Sequence, residues 1–143
     1  MTTKTCLIVE DSALIREVAA RIVKDLGFEA TEAATSNDGL ARCREAKPDI
    51  VLLDWDLPSL AALEFLRGVG EFDEAARPPI VLCATENDVQ QFALAKAAGA
   101  AFHVMKPFDA QSIGEAFADA GVIARSEIPK LTPTAQPRDR AAS

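Results

Sequence analysis

The chain has 143 residues, 49% of them hydrophobic, which is enough for one domain with a buried core. Its formal net charge of -7 argues against a bare nucleic-acid-binding surface, and no stretch approaches the roughly 20 apolar residues that a membrane span needs. The cysteines, Cys6, Cys43 and Cys83, are odd in number and widely spaced, so they indicate neither a disulfide framework nor a zinc site. Together with an N-terminus that has no secretory signal pattern, these features predict a cytoplasmic protein.

Five predicted strands alternate with five helical patterns along the chain. Four of the strands are short, nearly continuous apolar runs that predict burial on both faces, at residues 7–9, 50–53, 80–84 and 102–105, and residues 28–33 form a further short strand. The helical patterns repeat apolar residues at three- and four-residue spacing and cover about residues 12–26, 36–46, 58–69, 88–98 and 109–120. This alternation predicts an α/β fold with a parallel five-stranded sheet and right-handed crossovers.

Polar residues mark the start of the predicted helices. Thr35 or Ser36 caps the second helix, and Asn87 or Asp88 caps the fourth. Asp109 caps the fifth helix. The spacing of apolar residues in the fourth helix predicts a core-facing stripe that contains Val89, Phe92, Ala93 and Ala97.

Four of the five predicted strands end in a polar group. Glu10 and Asp11 follow the first strand, Asp54 the third, Thr85 the fourth and Lys106 the fifth. The carboxyl ends of parallel strands lie at one edge of the sheet, where open α/β sheets bind ligands. We therefore expect these side chains to converge in one crevice.

The three acidic residues of this crevice require a counter-charge. Two carboxylates about 5 Å apart repel by roughly 3 kcal/mol at an effective dielectric constant near 20. Mg²⁺ prefers oxygen ligands and keeps waters that a phosphoryl group can displace. Lys106 can pair with Asp54 at rest and with a phosphoryl oxygen afterwards. Because Asp54 stands alone after a rigid apolar run, it is the best candidate nucleophile for forming an acyl phosphate.

Taken singly, these residues also have ordinary structural explanations. Asp11 can cap the first helix, and Asp54 can begin a turn ahead of Pro58. Thr85 can be a β-branched strand residue, and Lys106 can be an exposed charge. Their joint position at one edge of the sheet favours the functional interpretation, because unrelated polar residues would be scattered between both edges.

The order of these residues resembles that of a bacterial response-regulator receiver domain. The acidic pair at 10–11, Asp54, Thr85 and the Lys106–Pro107 pair match the motifs of that family over about residues 4–123. The segments around these positions further resemble the chemotaxis type, which consists of stand-alone, single-domain response regulators. The resemblance implies a flavodoxin-like (βα)5 fold, a doubly wound parallel sheet with strand order 2-1-3-4-5.

The resemblance assigns roles to the acidic residues. Asp54 accepts a phosphoryl group from a sensor histidine kinase or a phosphotransfer protein. Asp11 and Asp54 ligate Mg²⁺ directly, Glu10 ligates it through water, and the backbone carbonyl of Asp56 is a further ligand. The side chain of Asp56 adds an acid beside the phosphorylation site that can alter the lifetime of the phosphorylated form.

The resemblance also implies a conformational switch. Lys106 and Thr85 bind the phosphoryl oxygens, and Thr85 moves toward them. His103 stands where Tyr or Phe is usual. It can act as the ring that changes its rotamer in response, or it can be a half-buried strand histidine with no switching role. The peptide bond between Lys106 and Pro107 is expected to be cis. Ala62 replaces a frequent glycine after the active-site loop, which predicts a tighter or differently turned loop.

Chain length sets the expected domain organisation. Residues 1–123 are predicted to form the receiver domain, and residues 124–143 to form a mobile tail that contains prolines. Too little chain follows for an output domain, so the protein is expected to signal by a phosphorylation-dependent protein contact. It is not expected to be an enzyme beyond its own phosphorylation and dephosphorylation. In this family the contact surface is usually the fourth helix, fifth strand and fifth helix, which here carry Gln90, Gln91, Lys96, His103 and Gln111.

Several outputs remain open at this point. Control of chemotaxis or motility is one, and a phosphate sink would use the same residues. An effector that binds a cyclic dinucleotide through Arg125, Arg138 and Arg140 is another, although these arginines form no dense cluster in the sequence. Neither a nucleic acid nor a membrane is expected as a partner.

Overall fold

A single parallel sheet organises residues 3–128, the part of the chain that the computed structural model describes. Its strands are β1 (Thr5–Val9), β2 (Glu29–Ala33), β3 (Ile50–Asp54), β4 (Ile80–Ala84) and β5 (Phe102–Met105). They lie in the order β2-β1-β3-β4-β5, and every neighbouring pair is parallel. The predicted fold class and strand order are confirmed.

Five helices connect and follow the strands: α1 (Ala13–Asp25), α2 (Ser36–Ala46), α3 (Ala61–Gly70), α4 (Val89–Ala97) and α5 (Ala110–Asp119). Side chains cap four of them, with Ser12 on α1, Thr35 on α2, Asp88 on α4 and Asp109 on α5. Since Ser12 caps α1, the carboxylate of Asp11 is not used as the helix cap. Within residues 3–128, no helix has the length and apolar character that crossing a membrane requires.

The sheet is covered on both faces by apolar helix residues. One layer packs α1 and α5 against it and includes Ile8, Val23, Leu52 and Phe117. The opposite layer packs α2, α3 and α4 against it and includes Val9, Leu53, Phe65 and Ala95. Because β1, β3 and β4 are buried on both sides, their nearly continuous apolar runs were readable from the sequence.

The buried face of α4 differs from the prediction. Ala95 is its buried residue and Phe92 is half-buried, whereas Val89 is 75% exposed and Ala93 and Ala97 are also exposed. Apolar residues occur nearly all round this nine-residue helix, so their spacing does not single out one face. The prediction of Val89, Ala93 and Ala97 as core residues was wrong.

The packed part of the chain extends beyond residue 123. Arg125–Glu127 forms a single 3-10 turn, and Arg125 pairs with Asp119 at the end of α5. Ile128 then packs against Gly114, where an added Cβ would lie 3.1 Å from the isoleucine side chain. Residues 124–128 of the predicted tail therefore cover α5, and the remainder of the tail lies outside the described residues.

Candidate functional site

The strand register brings the polar residues to one edge of the sheet. Leu53 of β3 pairs with Val9 of β1, so the next residues, Asp54 and Glu10, stand level with each other. Ala84 of β4 pairs with Met105 of β5, which places Thr85 and Lys106 level in the same way. Four loops thus begin at one rim, as expected for the carboxyl edge of a parallel sheet.

Lys106 joins two buried carboxylates at this rim. Its Nζ lies 2.8 Å from Asp54 Oδ1 and 3.0 Å from Glu10 Oε1. Only 2% of the Asp54 side chain and 5% of the Glu10 side chain are exposed, against 10% for Lys106. Such charge-assisted hydrogen bonds are short and strong, and burial reduces their screening by water.

Burial and pairing have opposite effects on the charges of this cluster. Burial raises the pKa of Glu10 above its ordinary value, and hydrogen bonds from the backbone N–H of Ser12 and from Lys106 only partly oppose this. For Lys106, burial alone would lower the pKa, but hydrogen bonds to Asp54 and Glu10 outweigh it, so the pKa is raised. The ammonium therefore stays charged at neutral pH.

Glu10, Asp11 and Asp54 form an acidic cluster that suits a cation. One carboxylate oxygen from each lies within 4.8 Å of the others, and Asp11 is exposed while its two neighbours are buried. Three anionic oxygen donors fit Mg²⁺, a hard cation that is bound through a few carboxylates and retains waters. The ammonium of Lys106 balances only one of these negative charges.

A second set of contacts links the loops after β3 and β4. The backbone N–H of Asp56 donates to Asp54 Oδ1 at 2.9 Å. The carboxylate Oδ2 of Asp56 accepts from both the backbone N–H and the hydroxyl of Thr85, at 3.1 and 3.2 Å. Sequence analysis assigned Asp56 a carbonyl ligand role and did not predict this side-chain contact. An acidic residue two positions after Asp54 was the available signal.

The loop after β3 contains two residues with left-handed backbone. Ser59 and Leu60 have φ of 59° and 60° and are the last two residues of the 3-10 turn Pro58–Leu60. Such conformations are unfavourable for residues with a Cβ, and they cluster where a loop is constrained by its surroundings. Ala62 lies in α3 and is buried, so the unusual backbone falls before the position where the family carries glycine.

His103 lies apart from the acidic cluster. It is an exposed residue of β5, and its ring stacks on Phe92 of α4 with a centroid distance of 4.3 Å and an interplanar angle of 26°.

The peptide bond between Lys106 and Pro107 is cis, as predicted. Of the three arginines considered for a cyclic dinucleotide, Arg125 pairs with Asp119, and the other two lie outside the described residues.

The three thiols do not compete with the carboxylates as nucleophiles. Cys6, Cys43 and Cys83 are buried and free. Burial raises the pKa of Cys43 to about 11, and it raises the pKa of Cys6 and Cys83 still further above the ordinary range. A thiol attacks as the thiolate, so these groups are inert at neutral pH.

Comparison with known proteins identifies this arrangement. The sequence pattern described as "Response regulator receiver domain" matches residues 6–118. The chain belongs to the response regulator receiver domain family. Chemotaxis protein CheY-3 of Vibrio cholerae is 30% identical over 112 residues, which cover 76% of this chain and 85% of that protein. The receiver domain described here is therefore of the CheY-like type.

Two further relatives define the extent of the similarity. The structure of chemotaxis response regulator CheY4 of Vibrio cholerae superposes with a TM-score of 0.76 at 27% identity, covering 83% of this chain and 99% of that one. The phosphate regulon transcriptional regulatory protein PhoB of Pseudomonas aeruginosa is 31% identical over 113 residues. Those residues are 79% of this chain but only 49% of PhoB, so that similarity concerns one part of the regulator.

Replacing Lys106 tests the electrostatic balance of the receiver site. Lys106→Met leaves two buried carboxylates without their ammonium, so we expect the free energy of unfolding at pH 7 without Mg²⁺ to fall by about 3 kcal/mol. Protonation of Glu10, whose pKa is already raised by burial, removes one of the two uncompensated charges. The deficit should therefore shrink as pH falls from 7 toward 4.5. Urea unfolding at each pH measures it.

Lys96→Met is the matched control, because Lys96 is exposed on α4. It should change the unfolding free energy by less than about 0.5 kcal/mol at either pH. In the native protein, the pairing raises the pKa of Lys106 above its ordinary value, so the stabilisation from this pairing persists at neutral pH and is lost only as pH rises through the folded-state pKa. A deficit of equal size at pH 7 and pH 4.5 would contradict this account.

Proposed function

We propose that this receiver domain accepts a phosphoryl group on Asp54 and signals through a protein contact that depends on phosphorylation. The observation that carries the proposal is the buried Asp54 carboxylate, which is held at 2.8 Å by Lys106 beside Glu10 and Asp11. A carboxylate held rigidly between a cation site and an ammonium is equipped for nucleophilic attack on phosphorus.

The transfer step forms an acyl phosphate. An oxygen of Asp54 bonds to phosphorus while the bond from phosphorus to the donor's histidine nitrogen breaks, and the imidazole leaves with that electron pair. Bound Mg²⁺ would neutralise charge on the transferring group. Asp11 and Asp54 would hold it directly through side-chain oxygens, Glu10 would hold it through water, and the backbone carbonyl of Asp56 would be a further donor. Lys106 moves from the carboxylate to a phosphoryl oxygen.

Turnover in this scheme is limited to the protein's own phosphoryl group. Water later attacks the phosphorus of the acyl phosphate and restores the Asp54 carboxylate, which returns the receiver to its resting state. We therefore class the protein as a signalling phosphoacceptor. A phosphate sink would use the same chemistry and would differ only in lacking a downstream target. The free, buried thiols support a reducing compartment such as the cytoplasm.

Phosphorylation of Asp54 is the first prediction of this proposal. Incubation with Mg²⁺ and acetyl phosphate should add one phosphoryl group of about 80 Da to the intact protein. The same conditions should change the fluorescence of Trp55, which neighbours the acceptor carboxylate in sequence and lies in the loop after β3. Intact-mass spectra and fluorescence titration provide the two measurements.

Asp54→Asn is the control, because it keeps the shape of the side chain but removes the nucleophilic carboxylate. It should show no adduct and no donor-dependent change in Trp55 fluorescence. An unmodified native protein in the presence of a competent donor and metal would overturn the proposed function.

The phosphodonor is proposed to dock on an apolar groove at the rim. This groove has a volume of about 390 Å³ and is lined by Leu14, Ile15, Val18, Pro107 and Phe108, with Thr85 and Lys106 at one side. Leu14 is 71% exposed and Val18 is 44% exposed. A histidine kinase or phosphotransfer protein must cover this rim to bring its phosphoryl group to Asp54, so these apolar side chains are available to its surface.

Leu14→Asp separates protein donors from small donors. We expect it to slow phosphotransfer from the cognate kinase by about tenfold, because a charge replaces an apolar contact at the centre of the interface. Phosphorylation by acetyl phosphate, which needs no docking surface, should stay within about twofold of the native rate. Val89→Asp is matched in exposure and chemistry but lies on α4, and it should leave both rates unchanged. Equal slowing with both donors would exclude this docking role.

The output surface is proposed to comprise α4, β5 and α5. Thr85 directly follows β4, and three residues separate it from α4, where the half-buried Phe92 stacks on the exposed His103 of β5. In this proposal, movement of Thr85 is transmitted through α4 to that aromatic pair. The polar residues of this surface are Gln90, Gln91, Lys96, His103 and Gln111. The similarity to chemotaxis proteins of Vibrio cholerae supports chemotaxis or motility control as its output.

Rearrangement of this surface is measurable without a partner. Beryllium trifluoride, which substitutes for a phosphoryl group, should shift backbone amide resonances of residues 87–120 when it binds with Mg²⁺, and His103 should be among them. The Asp54→Asn protein should show no such shifts under the same conditions. If the native protein binds the compound while residues 87–120 keep their resonances, signalling through this surface is excluded.

A further inference from the structure

Asp56 carries a carboxylate that the phosphotransfer scheme does not use. Its Oδ2 accepts the backbone N–H of Thr85 at 3.1 Å and the Thr85 hydroxyl at 3.2 Å. The same oxygen lies 4.0 Å from Lys106 Nζ. In the proposed function, the Thr85 hydroxyl and Lys106 are the groups that receive phosphoryl oxygens. In the resting protein, Asp56 Oδ2 thus accepts a hydrogen bond from the Thr85 hydroxyl and lies near the Lys106 ammonium. Both groups are needed to bind the phosphoryl group.

We propose that the Asp56 carboxylate is a built-in competitor of the phosphoryl group for Thr85. This inference rests on the proposed function and deepens it by naming a residue that sets how readily the acceptor is phosphorylated. Asp56 is a positioning residue, because it acts through Thr85. When phosphorus bonds to Asp54, the carboxylate must give up the Thr85 hydroxyl and accept a second anionic group close beside it.

A backbone hydrogen bond holds Asp56 close to Asp54, where its carboxylate can compete with a phosphoryl group for Thr85. Its N–H donates to Asp54 Oδ1 at 2.9 Å, which fixes the competing residue two positions from the acceptor. Its side chain is 40% exposed, so it can turn toward water when it is displaced. By contrast, the buried Asp54 and Glu10 have no comparable freedom. Displacement therefore involves a rotation of one side chain at the rim and leaves the sheet unchanged.

The contact also determines the resting position of Thr85. Two hydrogen bonds to a charged oxygen hold the start of the loop after β4 against the loop after β3. Removing the carboxylate releases the hydroxyl and its amide together, before any phosphoryl group arrives. This effect on the resting protein separates the inference from the proposed function, because it is measurable without Mg²⁺ or donor.

Three variants isolate the competing group. Asp56→Ala removes both the charge and the acceptor oxygen, and Asp56→Asn keeps an acceptor oxygen without the charge. Glu86→Ala removes an equal charge from the exposed residue that follows Thr85, yet it leaves the Thr85 contacts intact. All three keep the backbone carbonyl of residue 56. Circular dichroism checks that each variant is folded.

The first measurement is the Thr85 amide resonance of the resting protein, without Mg²⁺ or phosphodonor. It should move in Asp56→Ala and stay near its native position in Glu86→Ala. The second measurement is the affinity for beryllium trifluoride with Mg²⁺, followed by Trp55 fluorescence. We expect Asp56→Ala to bind about tenfold more tightly than the native protein, with Asp56→Asn between them and Glu86→Ala within about twofold of native.

The outcomes distinguish the two hypotheses. A native protein that binds beryllium trifluoride, together with an Asp56→Ala protein that binds it no more tightly, overturns the competition while the phosphoacceptor function stands. An unmoved Thr85 amide in Asp56→Ala overturns the contact on which the competition depends. A native protein that neither binds the compound nor gains an 80-Da adduct overturns the phosphoacceptor function and, with it, the competition.

Discussion

The ion pairs of Lys106 are the constraint on which the receiver site depends. Glu10 and Asp54 are nearly inaccessible to water, and desolvating each carboxylate costs several kcal/mol unless an opposite charge is close. One ammonium hydrogen-bonds both of them and so ties the end of β5 to the ends of β1 and β3. The arrangement gives the buried carboxylate of Asp54 an opposite charge at 2.8 Å. With Asp11, the site has three carboxylates and one ammonium. The remaining negative charge can be neutralised by a bound cation.

The contacts around Asp54 form two sets, an inner set among the buried strand-end residues and an outer set between the loops. The inner set is rigid, because it consists of strand-end residues with little exposed area. The outer set links Asp56 and Thr85 across neighbouring loops, where a partly exposed carboxylate can rotate. Asp54 is therefore surrounded by buried residues with fixed positions, whereas the Asp56–Thr85 contact at the rim can rearrange. Such a division suits the proposed function, in which the surface changes while the core stays in place.

The sequence alone was sufficient for the sheet and for most of the inner site. Continuous apolar runs identified β1, β3 and β4, and the polar residue that ends each run identified Glu10, Asp54 and Thr85. The strand order came from the family resemblance, since apolar periodicity does not encode it. The buried face of α4 was missed because its apolar residues occur nearly all round. The Asp56 contact was missed because it joins two loops, and loop geometry is set by tertiary packing.

The path from Asp54, the proposed acceptor, to the surface is short in this fold. Thr85 is the residue at which β4 leaves the sheet, and only three residues separate it from α4. That helix is held by the buried Ala95 and by the Phe92–His103 stack, and it buries little else. Displacing an element with so few buried contacts requires little free energy. The weak amphipathicity that left the buried face of α4 unpredicted is thus consistent with the proposed output role of this helix, because few buried contacts would oppose a shift of α4 that follows movement of Thr85.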